Sequence, residues 1–182
     1  TYTDSLDELD TVNPAISNKD GSSWSEPEVL TDWRTTGKKQ TVNAIDYDTD
    51  GSLKVLAFDA LSYDNIDAES DNISSDEFNN SANTGEIHVY VNGVHTQLTD
   101  NAVSDIAPVV SVRNGKAIVV WQSDKYNLDS INENAVKQDM QGEKKLYFSF
   151  YDGEKWSAPV CLENGEIEGV QAYDTAISDD GE

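Results

Sequence analysis

Short segments rich in Val, Ile, Tyr, Phe or Trp recur along the chain, each separated from the next by polar residues. Their length and composition are typical of β-strands. The predicted strands are Val42–Tyr47, Leu53–Phe58, Glu86–Val91, Val94–Leu98, Ala107–Val112, Ala117–Gln122, Leu146–Tyr151, Trp156–Leu162 and, near the end, Ala172–Ser178. Between them lie Asp50-Gly51, Asn92-Gly93, Asn114-Gly115 and Asp152-Gly153. Asn-Gly and Asp-Gly pairs favour tight hairpins because these residues tolerate positive φ, so the pattern predicts antiparallel sheets.

The chain also contains an internal repeat. Ser17–Pro27 and Ser149–Pro159 both fit S-x-x-D-G-x-x-W-S-x-P without a gap, and their tryptophans are 132 residues apart (156 − 24). Val91–Leu98 is a degenerate copy between them, in which His95 replaces the tryptophan. The three copies predict a structural unit of about 66 residues that recurs through the chain.

Each full unit reads strand, hairpin, strand, long loop, strand, hairpin, strand. Four-stranded antiparallel units in series are typical of β-propeller blades, so we expect an all-β fold made of such blades; the alternative is a β-sandwich. The predicted divisions of this single segment, 1–182, are a partial blade over 1–35, blades over 36–100 and 101–165, and a partial blade over 166–182. The partial blades suggest a piece of a longer polypeptide, or a subunit that completes its sheets with another copy.

The repeated hairpin resembles a degenerate Asp-box, the motif S-x-D-x-G-x-x-W of sialidase-like propellers. The Gly-to-Trp spacing is that of the family and the Asp is displaced by one position: Asp20, Gly21 and Trp24 in one copy, Asp152, Gly153 and Trp156 in the other. The resemblance implies a propeller. Sialidases hold the substrate carboxylate with three arginines, whereas this chain has Arg34 and Arg113 alone, so it does not build that site by itself.

Composition limits the partners. The 12 basic and 35 acidic residues give a net charge of −23, which repels nucleic acid and anionic membrane surfaces. No apolar run reaches the 18 or so residues that a membrane-spanning helix needs. The single cysteine, Cys161, excludes an intrachain disulfide. A surface rich in Asp, Asn, Ser and Thr suggests a bacterial protein that is secreted or displayed at the cell surface.

Two long loops, Leu61–Gly85 and Ser123–Lys145, lie between the second and third strands of their units. Insertions at equivalent positions emerge on one face of a propeller and often form its binding face, although solvated excursions are the alternative. Aromatic side chains beside polar ones are typical of sugar and protein recognition. The candidate ligand-binding residues are Trp33, Arg34, Tyr63 and Tyr126. Trp24, Trp121 and Trp156 lie at repeating strand positions and are expected in the core.

One motif suggests a metal. Asp46, Asp48 and Asp50 precede Gly51 as D-x-D-x-D-G, and alternate carboxylates before a glycine turn can converge on Ca²⁺. The glutamate that an EF-hand needs at loop position 12 is replaced by Ala57, so the motif is not an EF-hand. It resembles instead the calcium hairpins of integrin-type propeller blades. The alternative is an acidic hairpin turn without metal, so calcium is the one cofactor the sequence suggests.

Catalytic motifs are lacking: the chain has no G-x-S-x-G, H-E-x-x-H, P-loop or G-x-G-x-x-G. We therefore predict a non-catalytic binding or scaffolding segment that recognises glycan or protein. The alternatives are a fragment of a sialidase-like glycoside hydrolase whose catalytic residues lie outside this chain, and a structural spacer. Incomplete blades expose sheet edges, which predicts self-association.

Overall fold

The computed structural model describes residues 15–17, 19–29, 39–63, 81, 83–124, 144–162 and 173–179. Every named element in this part of the chain is a β-strand, and every strand pair is antiparallel. The all-β prediction is therefore confirmed for the described residues. Within them we find no helix with the length and hydropathy of a membrane span.

The described residues between 15 and 29 form two short antiparallel strand pairs. The inner pair flanks a tight turn, and the outer pair lies further from that turn. Strands β2 (Lys19–Asp20) and β3 (Ser23–Trp24) pair across Gly21, whose φ is 59°. Outside them, β1 (Ala15–Ile16) pairs with β4 (Glu28–Val29).

The rest of the described chain forms two four-stranded antiparallel sheets with consecutive strand order. Sheet one comprises β5 (Lys39–Thr49), β6 (Lys54–Tyr63), β7 (Gly85–Val91) and β8 (Val94–Gln97). Sheet two comprises β9 (Ser104–Arg113), β10 (Lys116–Asp124), β11 (Lys144–Tyr151) and β12 (Val160–Cys161). The eight strands predicted between Val42 and Leu162 are confirmed with shifted ends, although the one predicted over Trp156–Leu162 is reduced to Val160–Cys161, and Trp156 forms an isolated bridge to Tyr151.

The hairpin turns form as their sequences predict. In both Asn-Gly turns each residue has positive φ: 48° and 86° at Asn92 and Gly93, 52° and 74° at Asn114 and Gly115. Two successive positive φ angles define the type I′ turn, whose twist matches that of the flanking strands. Asn and Gly are the residues that adopt this conformation at least cost.

The internal repeat is visible in the strand register. Lys19 pairs with Trp24, and Tyr151 bridges Trp156; both partners lie 132 residues further along (151 − 19 and 156 − 24). The same displacement relates the outer pairs of the two copies, which are Ala15 with Val29 and Tyr147 with Cys161. His95, which replaces the tryptophan in the degenerate copy, faces Tyr90 as Trp156 faces Tyr151.

The motif residues stabilise the hairpin that carries them. Asp152 accepts hydrogen bonds from the N–H groups of Glu154 and Lys155, which fixes the turn. The Ser149 hydroxyl donates to the carbonyl of Ser157, 2.8 Å away, so the two serines of the motif join the strands. Side chains that bond to nearby backbone in this way are typical of turns, so the shared motif is accounted for by local structure.

The two sheets pack face to face around one apolar core. Sheet one contributes residues of β6 and β7 and sheet two contributes residues of β9 and β10: Leu53, Val55, Ala57, Ile87, Val89, Val91, Val110, Val112, Ala117, Val119 and Trp121. Trp121 is fully buried and Trp156 packs against this cluster, as expected. The expectation for Trp24 is wrong, because this residue is 66% exposed.

The predicted strand over Ala172–Ser178 is not observed, since residues 173–179 have no strand assignment. The segment lies against sheet two instead. The Tyr173 hydroxyl donates to the carbonyl of Ala107, and the Asn114 amide donates to the carbonyl of Asp179. Arg113 also pairs with the Asp179 carboxylate. Without a paired neighbour among the described residues, this segment is extended against the sheet but is not part of a ladder.

Equivalent strands of the two sheets run in the same direction. Asp46, Asp48 and Asp50 on sheet one contact Val110, Val112 and Gly115 on sheet two in that order. The second strands, β6 and β10, consequently end on the same side of the molecule, and both long loops leave from that side. We call it the loop-bearing end; the linker Thr99–Val103 between β8 and β9 also lies there.

Candidate functional site at the loop-bearing end

Most of the predicted ligand-binding residues cannot be placed. Trp33, Arg34 and Tyr126 lie outside the described residues. Tyr63 was predicted in the first long loop but is the last residue of β6, so its backbone lies at the loop-bearing end; its side chain is outside the described part. Ligand binding by these four residues stays a prediction.

The three aspartates of the D-x-D-x-D-G motif form a ladder of acceptors between the sheets. A carboxylate oxygen of Asp46 lies 2.9 Å from the N of Val110, one of Asp48 lies 2.7 Å from the N of Val112, and one of Asp50 lies 2.7 Å from the N of Gly115. Strand β9 is an edge of its sheet, and edge strands leave backbone N–H groups unpaired. The aspartates satisfy these groups and attach β9 to sheet one.

The other oxygen of Asp50 organises its own turn. It accepts hydrogen bonds from the N–H groups of Ser52 and Leu53. The N–H groups of Leu53 and Gly115, followed by the Ser52 donors, hold the pKa of Asp50 well below its usual range. Asp50 is thus ionised throughout the physiological pH range.

Calcium binding by this motif would need the aspartates to converge on one point. Strand β5 instead continues to Thr49, so Asp46 and Asp48 follow one another along one face. No group of three or more His, Cys, Asp or Glu side chains among the described residues is arranged to hold a metal ion. The carboxylates have another partner in the sheet-two backbone, and calcium stays a prediction to be tested by titration.

Asp59 holds the irregular parts of both sheets in place. One of its oxygens accepts from the N–H groups of Asn43 and Ala44, where the β5 register shifts. The other accepts from the N–H of Ala107, 2.9 Å away, where β9 is irregular and Ala107 has a φ of 54°. Positive φ is costly for alanine, and this bond stabilises the conformation from a side chain that is itself buried.

A set of buried polar side chains lies at the loop-bearing end, next to Asp59. Its members come from the ends of β7, β9 and β10 and from the linker: Glu86, Thr99, Ser104, Asp105, Ser123 and Asp124. The Lys144 ammonium lies 3.9 Å from an oxygen of Asp124. Burying several acids costs free energy unless they are paired or protonated, so the pKa values of acids in this set are expected to rise.

Asn101 joins two of these acids. Its N–H donates to Glu86 over 2.9 Å, and its side-chain amide donates to Asp105 over 2.7 Å. Burial raises the pKa of Glu86 to about 7, and it also raises the pKa of Asp105. A carboxyl group that changes charge near neutral pH is a frequent feature of functional sites.

Sequence patterns did not predict this cluster of buried acids. Glu86 and Asp105 each stand one residue inside a strand whose following residues are apolar, in Gly85-Glu86-Ile87 and Ser104-Asp105-Ile106. An acidic residue within an otherwise apolar strand is the sequence feature that could have indicated a buried carboxyl group. That signal does not say which acids meet, because Glu86 and Asp105 lie on different sheets.

The two histidines of the chain meet on the face of sheet one that points away from sheet two. Nδ1 of His88 lies 3.0 Å from Nε2 of His95, with the rings 12° from parallel. Since one nitrogen must donate and the other accept, the pair shares one proton in this contact. Burial lowers the pKa of His95, and the neighbouring rings are Phe58 and Tyr90.

No protein-family model matches this chain, and no curated protein sequence matches it.

Proposed function

We propose that the chain is a non-catalytic binding or scaffolding segment of a β-propeller, and that it recognises glycan or protein through its loop-bearing end. The parent protein would be secreted or displayed on a bacterial cell. The observation that carries the proposal is the common origin of the two long loops, which leave β6 and β10 on the same side of the molecule. Per-repeat insertions that gather on one face often form a binding surface.

The propeller is supported by the way the units follow one another. The first strands of the two sheets, β5 and β9, run in the same direction, and the sheets pack face to face. The segment 173–179 contacts sheet two at the turn between β9 and β10. The hairpin register recurs with a displacement of 132 residues. A series of sheets related in this way has the geometry of adjacent blades.

Glycan is favoured as a ligand by the candidate residues themselves. An aromatic face stacks on a sugar ring, and neighbouring polar groups fix its orientation. Trp33, Arg34, Tyr63 and Tyr126 supply both kinds of group. The net charge of −23 favours neutral or cationic ligands over anionic ones.

A glycan array on the 182-residue chain tests the proposal, followed by titration of the strongest ligand by calorimetry. We expect Trp33→Ala and Tyr126→Ala each to weaken binding by up to about tenfold, because one aromatic stacking contact contributes about 0.5–1.5 kcal/mol. Tyr47→Ala is the matched control, because Tyr47 is an exposed aromatic residue on β5 outside the loops.

Two results would contradict the proposal. Equal loss of affinity in the Tyr47 control would show that the loops are not the binding surface. Hydrolysis of an aryl glycoside by the intact chain, lost on substitution of a carboxylate, would establish the glycoside hydrolase alternative. A chain that binds no glycan and no protein partner in solution would be a spacer.

A further inference from the structure

The linker Thr99–Val103 between the sheets is held by hydrogen bonds to buried groups. The Thr99 hydroxyl accepts from the N–H of Ile87, 2.8 Å away, which fixes one end of the linker on β7. Asn101 then binds Glu86 of sheet one through its N–H and Asp105 of sheet two through its amide. Its amide oxygen also accepts from the N–H of Val103. Asn101 is therefore the central point of the connection.

Glu86 is an unusual partner for this role. Its side chain is 6% exposed, and that of Asp105 is 2% exposed. One Glu86 oxygen accepts from Asn101, while the other, Oε2, is buried and has no hydrogen-bond partner among the described residues. A charged carboxylate in that position lacks the solvation it would have in water, and a second carboxylate acts on it across Asn101.

The surrounding charges do not relieve Glu86. The groups that act on it are Asp105 on β9 and Asp100 on the linker, and both are acidic. The other ionisable groups at this edge are otherwise engaged. Asp59 on β6 accepts backbone N–H groups, and Asp124 on β10 lies beside Lys144 of β11. Protonation is the remaining way to make the buried position favourable.

We propose that Glu86 is a proton-operated latch on the linker between the two sheets. When Glu86 is neutral, it stays buried and holds Asn101, which in turn binds Asp105. When it is ionised, its charge is hydrated only by leaving the buried position, and the bond to Asn101 breaks. The linker then opens locally while both sheets remain folded. This role is independent of any ligand at the loop-bearing end.

The pKa of Glu86 lies near neutral pH, as a proton-operated latch requires. Burial raises its pKa from 4.5 to about 7; the Thr99 hydroxyl and the Asn101 N–H oppose this rise, and Asp105 and Asp100 add to it. The folded protein therefore holds a proton between pH 4.5 and 7 that the unfolded chain releases. By linkage, stability falls as the pH rises through this window, and the loss is complete above it.

Amide hydrogen exchange measured by NMR tests the latch, with rates corrected for the intrinsic effect of pH. Between pH 5.5 and 8.5 we expect protection of the Asn101 and Ile87 amides to fall by about tenfold or more, as a shift of more than one pKa unit requires. Glu86→Gln keeps the shape of the side chain and removes its charge, so protection in this variant should not depend on pH. Glu28→Gln, at an exposed glutamate, should behave as the unmodified protein.

Two further measurements make the result decisive. Asn101→Ala keeps the backbone N–H that binds Glu86 but removes the side-chain amide that binds Asp105, so protection of the linker amides should fall while its pH dependence remains. The carboxyl carbon of Glu86, followed by ¹³C NMR in the unmodified protein, should titrate near pH 7. A midpoint near 4.5, or the same pH dependence in Glu86→Gln as in the unmodified protein, would overturn the proposal, and the carbon titration applies even if the variant does not fold.

Discussion

At the scale of single residues, four carboxylates accept hydrogen bonds from backbone N–H groups that backbone carbonyls would otherwise accept. Asp46, Asp48, Asp50 and Asp59 each accept a hydrogen bond from the backbone of sheet two. Hydrogen bonds to a charged acceptor are stronger than those between neutral groups. The acidic composition of the chain thus contributes directly to the packing of its sheets as well as to its net charge.

Asp59 gives the sharpest test at this scale. Asp59→Ala leaves the N–H groups of Asn43, Ala44 and Ala107 without their acceptor, and an unsatisfied buried group costs about 1–3 kcal/mol. We expect the free energy of unfolding to fall by about 3 kcal/mol, measured by urea denaturation. Asp20→Ala, on an exposed hairpin, should change it by less than about 0.5 kcal/mol. A comparable loss in both variants would show that Asp59 has no special role.

At the scale of elements, the repeated hairpin is buried to a different extent in each of its surroundings. Trp24 and Trp156 share motif, register and turn, yet Trp24 is exposed and Trp156 packs with Tyr151 against the core. His95 occupies the same position in sheet one and packs with Tyr90 and His88. The hairpin is therefore a local structure whose burial depends on the sheet that it meets.

The D-x-D-x-D-G hairpin yields a prediction about calcium. If its carboxylates serve as acceptors for β9, Asp48→Ala should lower the melting temperature equally with and without about 5 mM CaCl₂, a concentration above the dissociation constants of extracellular calcium modules. The loss should correspond to about 1.5–3 kcal/mol, the contribution of one hydrogen bond to a charged group. Thermal unfolding by circular dichroism measures both effects, with Asp20→Ala as the control.

The opposite result would be informative. A melting temperature that rises with calcium in the unmodified protein, and no longer rises in Asp48→Ala, would establish a calcium site at the hairpin. It would also show that the carboxylates leave the backbone of β9 to bind the metal. EDTA treatment before the measurement excludes metal already bound.

At the scale of the whole molecule, two apolar side chains of β5, an edge strand of sheet one, are exposed. Ile45 and Tyr47 on β5 are 53% and 42% exposed, whereas the residues opposite them on β6, Phe58 and Leu56, are buried. An exposed apolar edge of this kind favours association with another sheet.

We accordingly expect reversible self-association in solution. Sedimentation velocity at rising protein concentration, in about 0.3 M NaCl to screen the charge of −23, should show species larger than the monomer. Ile45→Lys should reduce the association, while Val94→Lys, on exposed β8, should not. A monomer at all concentrations would contradict the expectation.

The sequence by itself determined the features that depend on neighbouring residues. The alternation of apolar and polar positions located the strands, and Asn-Gly and Asp-Gly located the turns, because both signals act within a few residues. The repeat established the equivalence of the hairpins around Trp24 and Trp156. The order of strands then predicted that both long loops leave their units at the same position, which the structure confirms for β6 and β10.

Only the tertiary structure decided which distant groups meet. D-x-D-x-D-G suggests a metal when read locally, but its acceptors are satisfied by backbone N–H groups about 64 residues away, as from Asp46 to Val110. Glu86 and Asp105 become a coupled pair because the linker places Asn101 between them. Trp24 is exposed because burial depends on a covering sheet and not on the motif. Burial and pairing depend on packing between units, and a pattern within one unit does not contain that information.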